Sequence, residues 1–173
     1  MSTSETIEID PEQLGHLLFS KSVDDTAIIM KSDNEHLEAS PGFQKQVFER
    51  RKLVYLLAGN IIALTNAASQ QPSFSHVFAH FTKRVRLLMQ QIWKASEADI
   101  DAEIEKAASD YAVLLFTDPA TNRALSFEWA QEWLRQVGVE EYNPSVLFRI
   151  SGMWKIQHDF TAKLLARMRI VNV

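Results

Sequence analysis

Arg50 and Arg51 are the residues whose placement most invites chemistry. At about 100° per residue, Arg50 falls within the arc of Phe43, Val54 and Ile61, and Arg51 lies close to its edge. A guanidinium aimed at an apolar face must meet a carboxylate or an anion, because an unpaired buried charge is costly. Ion pairing with an acid of another helix, such as Glu103 or Asp110, is the preferred reading, together with snorkelling near the helix start. A bound anion is the alternative. His76 and His80 stand one helical turn apart, a spacing that can hold a metal. No Glu intervenes as in H-E-x-x-H, no third ligand is near in sequence, and the pair shares its face with Lys83. Neighbouring cations disfavour a dication, so these are read as surface or interface histidines and no metal or cofactor is expected. With Lys83, Arg84 and Arg86 they form a candidate anion- or partner-binding face alongside Arg50 and Arg51.

Other constellations carry less. His158-Asp159 suggests a general base, but adjacent helical residues diverge by about 100°, so the Asp is not expected to orient its neighbour unaided. Ser151 lies two turns before His158, too far for a nucleophile–base pair along a straight helix. Trp129 and Trp133 stack at i, i+4 inside an apolar face and are read as core. The chain has 0 Cys, hence no thiolate chemistry, and its 5 Gly are scattered, with no phosphate loop. Gly59 and Gly152 fall inside helices and are expected to mark close helix crossings. No catalytic residue is assigned, and an enzyme is not favoured.

These side chains must be held by helices. The 5 prolines all fall at helix starts or in loops. Asp10-Pro11, Ser40-Pro41 and Asn143-Pro144 pair an N-cap residue with proline at the first helical position. Pro72 precedes Ser73 and Ser75, and Asp118-Pro119 lies in a polar break from Thr117 to Arg123. The expected helices run over 11–21, 41–68, 75–94 and 96–116, followed by a shorter one capped by Ser126 and closed by Gly138. A last helix, capped by Asn143, carries Leu147, Ile150, Trp154, Leu164, Leu165 and Met168. Ser22 to Ala39 has no clear period, and Ala27–Met30 reads as a docked strand-like piece or extended arm. Leu53 to Ala68 is apolar on all sides but contains Asn60 and Asn66. It is also shorter than the roughly 20 residues of a membrane span, so it reads as a buried central helix. The phenylalanines of helix 75–94 form an ordinary core stripe, with an apolar ligand pocket beside it as the alternative.

Charge is sorted along the 173 residues. Residues 1–44 carry nine acids against Lys21 and Lys31, a net of −7; residues 45–94 carry +7; residues 95–142 carry −8; residues 143–173 carry +4. The preferred reading sets acidic helices beside basic ones, paired across their seams. The alternative is a basic patch for phosphate or nucleic acid, which the net charge of −4 disfavours.

The sequence therefore predicts an all-α fold, a single-domain helical bundle of five to six helices with a long central helix. An acidic N-terminal arm (1–39), carrying one short helix and docked on the body, precedes a helical core (40–173). The expected function is a non-catalytic protein-interaction or regulatory module acting through a helical face. Nucleic-acid or anionic-ligand binding through the basic helices 41–68 and 75–94 is one alternative. A small-molecule sensor or enzyme with an apolar pocket beside helix 75–94 is the other. The expected partner is another protein, or a second copy of the chain. The polar, acidic start of the chain, without an apolar leader, makes the cytoplasm the expected location.

Overall fold

The computed structural model describes residues 6–117 and 119–172, without the side chains of 25–33, 116, 119–124 and 154. The docking expected of Ala27–Met30, the cap expected of Asp118 and the core place expected of Trp154 lie outside what is described. The described residues form an all-α bundle of six helices: α1 (Pro11–Leu37), α2 (Lys45–Gln70), α3 (Phe74–Trp93), α4 (Glu97–Phe116), α5 (Pro119–Gln136) and α6 (Pro144–Leu165). Two three-residue strands, β1 (Ile7–Ile9) and β2 (Met168–Ile170), pair in parallel and tie the two ends of the chain together. Met168 therefore sits in a strand, not in the last helix.

The start signals act as their chemistry dictates at three helices. Asp10 accepts from the backbone N–H of Glu12 and Gln13, Ser96 from Asp99, and Asn143 from Ser145. Gly138, at φ +80°, closes α5: the N–H of Gly138 donates to Arg135 and that of Val139 to Leu134, which satisfies the last carbonyls.

Besides the end of α6, three boundaries differ from expectation. The helix expected to stop near Lys21 continues to Leu37, because nothing from His16 to Ser40 is Gly or Pro. Its period is hidden for two reasons. Core-facing positions are taken by Ser22 and Asn34, and Leu14 and Leu37 lie about 140° apart around the helix, so its two halves bury different faces. The helix expected from Pro41 begins at Lys45. Ser40 to Gly42 is instead a turn pressed on the end of α5, where the Gln44 N–H donates to the Val137 carbonyl. A Cβ at Gly42 would stand 2.7 Å from the Gly138 carbonyl oxygen, so both glycines are needed for this close approach. Ser126 does not start a helix; it is buried in the middle of α5, which starts at Pro119.

α2 is the core. Leu53 through Ile61 are all buried, and α1, α3, α4 and α6 pack around it. Among the described residues it is the one helix long and apolar enough to cross a membrane, and over half of that window is buried by the rest of the chain. A node of buried polar groups sits inside it. Asn60, fully buried, donates to the Ser22 hydroxyl of α1 and accepts from Gln157 and Thr161 of α6. Ser22 in turn donates to the Leu18 carbonyl at 2.7 Å. α6 runs parallel to α2, and both helices end on one groove.

Glycine does its packing work at Gly15, not at Gly152. A Cβ at Gly15 would stand 2.9 Å from the His80 Cβ and 3.2 Å from the Phe81 nitrogen, which marks the α1–α3 crossing. At Gly59 it would meet the Tyr111 hydroxyl at 3.3 Å, the close approach expected there. At Gly152 it would meet nothing within 4 Å, so the crossing expected there is absent among the described residues. Gly15→Ala is therefore expected to cost about 1–3 kcal/mol by overpacking against backbone. Gly152→Ala should add up to about 1 kcal/mol through helix propensity. Urea denaturation of the two variants measures both; equal effects would contradict this assignment.

Candidate interaction surface

The basic residues singled out from the sequence are dispersed, and most lean on partners within the chain. Arg50 makes a two-point contact with Glu103 of α4, 2.7 and 3.2 Å, and stacks over the Trp93 ring at 5.3 Å. Arg86 pairs with Asp101 of α4 at 2.8 Å, and Arg84 approaches Glu12 of α1 at 3.7 Å. Arg51 donates to the Gln136 side chain of α5 at 2.8 Å. His80 lies under α1 at Gly15, and His76 and Lys83 are exposed on α3. The seven residues thus face α4, α5, α1 and solvent, and among the described residues no single groove brings them together. Of the acids proposed as partners, Glu103 takes Arg50. Asp110 instead accepts from the Tyr55 hydroxyl and pairs with Lys106. Burial above all, and then Asp110, hold the Tyr55 hydroxyl well above the usual tyrosine pKa. Trp129 and Trp133 stack at 5.9 Å beside Tyr55, with Trp133 in the core.

A groove of about 480 Å³ opens where α2 and α6 end and α3 begins. Ala63, Ala67, Phe74, Ala162 and Met168 give it apolar walls, while Asn66, Gln70 and His158 supply hydrogen-bonding groups. The His158 ring is oriented by its neighbour after all: Nδ1 lies 3.2 Å from the Asp159 carboxylate, which also holds Lys155 at 3.0 Å. Their Cα–Cβ directions diverge, but both side chains are long enough to fold back and meet. Ser151 turns to its own helix and donates to the Phe148 carbonyl, so it supplies no nucleophile here. No cluster of three His, Cys, Asp or Glu that could hold a metal occurs among the described residues.

The outer face of α6 is the feature the sequence reading passed over. Val146, Ile150, Met153 and Leu165 fill the inward stripe. Phe148, Ile156 and Phe160 form a four-residue ridge and are 64%, 70% and 42% exposed; the ridge runs from Phe148, beside Phe127 of α5, to Phe160, beside Lys21 of α1. Gly152 falls in the same row, four residues from Phe148 and from Ile156. The apolar content of α6 on both faces was the available signal: one stripe fills the bundle, and the surplus has to go outside.

No family model matches this chain, and neither the curated proteins nor the solved structures include a match.

Asp159 sits in a field that can be measured. Partial burial raises its carboxyl pKa, but hydrogen bonds and charge from Lys155 and His158 outweigh that and leave it below the ordinary value. Because the folded value is depressed, this contribution to stability is in force above the unfolded Asp pKa of about 3.9 and is lost as pH falls through the folded value. A carbon-detected NMR titration should place the Asp159 midpoint below that of a model peptide, and Lys155→Met should raise it. A midpoint unmoved by that substitution would show that the contact with Lys155 is not maintained in solution.

Proposed function

We propose that this protein is a protein-interaction module whose binding face is the outer side of α6, and that its occupant is a helix of another protein. The observation behind this reading is the row of Phe148, Ile156 and Phe160, three large apolar side chains exposed on one helix. Single exposed hydrophobics are ordinary, whereas an aligned set on a rigid element is what a helix-binding surface presents. The face is backed by the buried stripe of the same helix, so it is held in place before any partner arrives. Anion binding through the basic residues has less behind it, because Arg50, Arg51, Arg84 and Arg86 are engaged within the chain.

The groove beside the start of α3 favours a second reading, small-molecule binding, since it combines apolar walls with an oriented histidine.

Affinity capture from the native cell extract separates the two. The wild-type chain is expected to retain a stoichiometric protein that the double variant Phe148→Glu, Ile156→Glu loses, with the melting temperature of the variant within a few degrees of wild type. Identical capture by both chains would remove α6 as the binding face. Capture of no protein, with ligand-induced NMR shifts at Ala67 and Ala162, would favour the groove.

A further inference from the structure

The geometry points to a further binding site, a cleft between α2, α4 and α5 that takes a small organic carboxylate on Arg51. The site is separate from the α6 surface and from the groove beside the start of α3. α2 gives it Arg51 and Tyr55, α4 gives Glu103 and Lys106, and α5 gives Trp133 and Gln136, each pair about one helical turn apart.

Charge is the first observation. Glu103 is engaged by Arg50 and Lys106 by Asp110, so the charges these two bring to the wall are already answered. Arg84 and Arg86 likewise meet carboxylates. Arg51 differs from them. It is partly buried, and the group that engages it is neutral: Nη1 donates to the Gln136 side-chain oxygen at 2.8 Å. Among the described residues no carboxylate pairs with it. A guanidinium partly withdrawn from water without a counter-charge favours an anion beside it. Gln136 also donates to Glu132 at 2.8 Å, which turns its oxygen toward Arg51. Nε and Nη2 of Arg51 are left without an acceptor among the described residues. They form the edge of the guanidinium that can hold both oxygens of one carboxylate.

Trp133 is the second observation. It is 3% exposed, and its indole N–H is buried with no acceptor among the described residues. Leaving such a donor unpaired costs about 1–3 kcal/mol. An indole nitrogen only donates, so what satisfies it is an acceptor. A carboxylate seated against Arg51 and Trp133 supplies what each of them lacks.

Size and polarity narrow the class. The cleft holds about 120 Å³, enough for a short chain or a single ring and too little for a nucleotide. Val54, Ala107 and the Tyr55 ring give it apolar walls, so the ligand carries an apolar body behind its charge. Inorganic phosphate would bring more charge than one unpaired arginine answers, and would leave those walls uncovered.

Benzoate and its neutral counterpart benzamide, titrated separately into the isotope-labelled full chain, test this by NMR. Benzoate is expected to shift the Trp133 indole N–H resonance saturably and to bind at least about tenfold more tightly than benzamide, with an affinity that falls as salt rises. Arg51→Met should abolish the shift and keep the melting temperature within a few degrees of wild type. Gln136→Leu, which frees the guanidinium to swing, should weaken benzoate binding about threefold or more. No saturable shift of the Trp133 resonance by benzoate would overturn the inference, as would equal affinity for benzamide or undiminished binding by Arg51→Met. A peptide ending in a free phenylalanine carboxylate that bound more tightly than benzoate would overturn it too, by making the terminus of another protein the occupant.

Discussion

A single buried carboxamide sets the terms for this bundle. Asn60 sits at the centre of α2 with no exposed surface, and its polar atoms must be satisfied from neighbouring helices. Ser22 of α1 meets its amide on one side, and Gln157 and Thr161 of α6 meet its carbonyl oxygen on the other. Hydrophobic contact is non-directional and by itself marks the register of either helix along α2 less sharply than a hydrogen bond does. Sliding α1 or α6 by one turn would strand the amide, with a desolvation penalty of about 1–3 kcal/mol for each group left unpaired. The node therefore converts a general attraction into one register for three helices that are distant in sequence.

Much of the remaining geometry follows from that register. With α6 parallel to α2 at this point, the two helices finish together, and the alanines below the node leave the groove that His158 lines. One residue before Asn60, Gly59 admits the Tyr111 hydroxyl, which brings α4 close on another flank. The Arg50–Glu103 contact then lies two to three turns nearer the start of α2, on the α4 seam, with Arg86–Asp101 beside it. These seam pairs are half exposed and individually worth little. Their contribution is to choosing neighbours: acidic α4 settles against basic α2 and α3, and the acidic start of α1 against α3.

The sequence disclosed these parts unevenly, for physical reasons. Caps and helix stops are local chemistry, so Asp10, Ser96, Asn143 and Gly138 could be read directly. Glu103 could be named as a partner for Arg50 because charge sorting narrows the choices. The length of α1 was hidden because its core-facing positions include Ser22 and Asn34, polar residues whose reason lies in α2. The role of Asn60 was hidden likewise: its partners are 38, 97 and 101 residues away. Ser40-Pro41 carried the marks of a helix start, but the Gly42–Gly138 contact turned it into a docking turn. As for the α6 surface, a helix with two apolar faces announces only that one of them is surplus. Packing decides which.

The bundle depends most on the Asn60 node, and replacing that residue tests this dependence directly. Asn60→Leu keeps size and adds apolar character, so an account based on packing alone would have it neutral or stabilising. Here it takes the acceptor away from Gln157 and Thr161 and one donor from Ser22, which keeps its own bond to the Leu18 carbonyl, and urea denaturation should show a loss of about 2–4 kcal/mol. Hydrogen exchange should rise first in α1 and in α6 around Gln157. Unchanged stability with unchanged protection in both helices would contradict the claim that this node holds them in register.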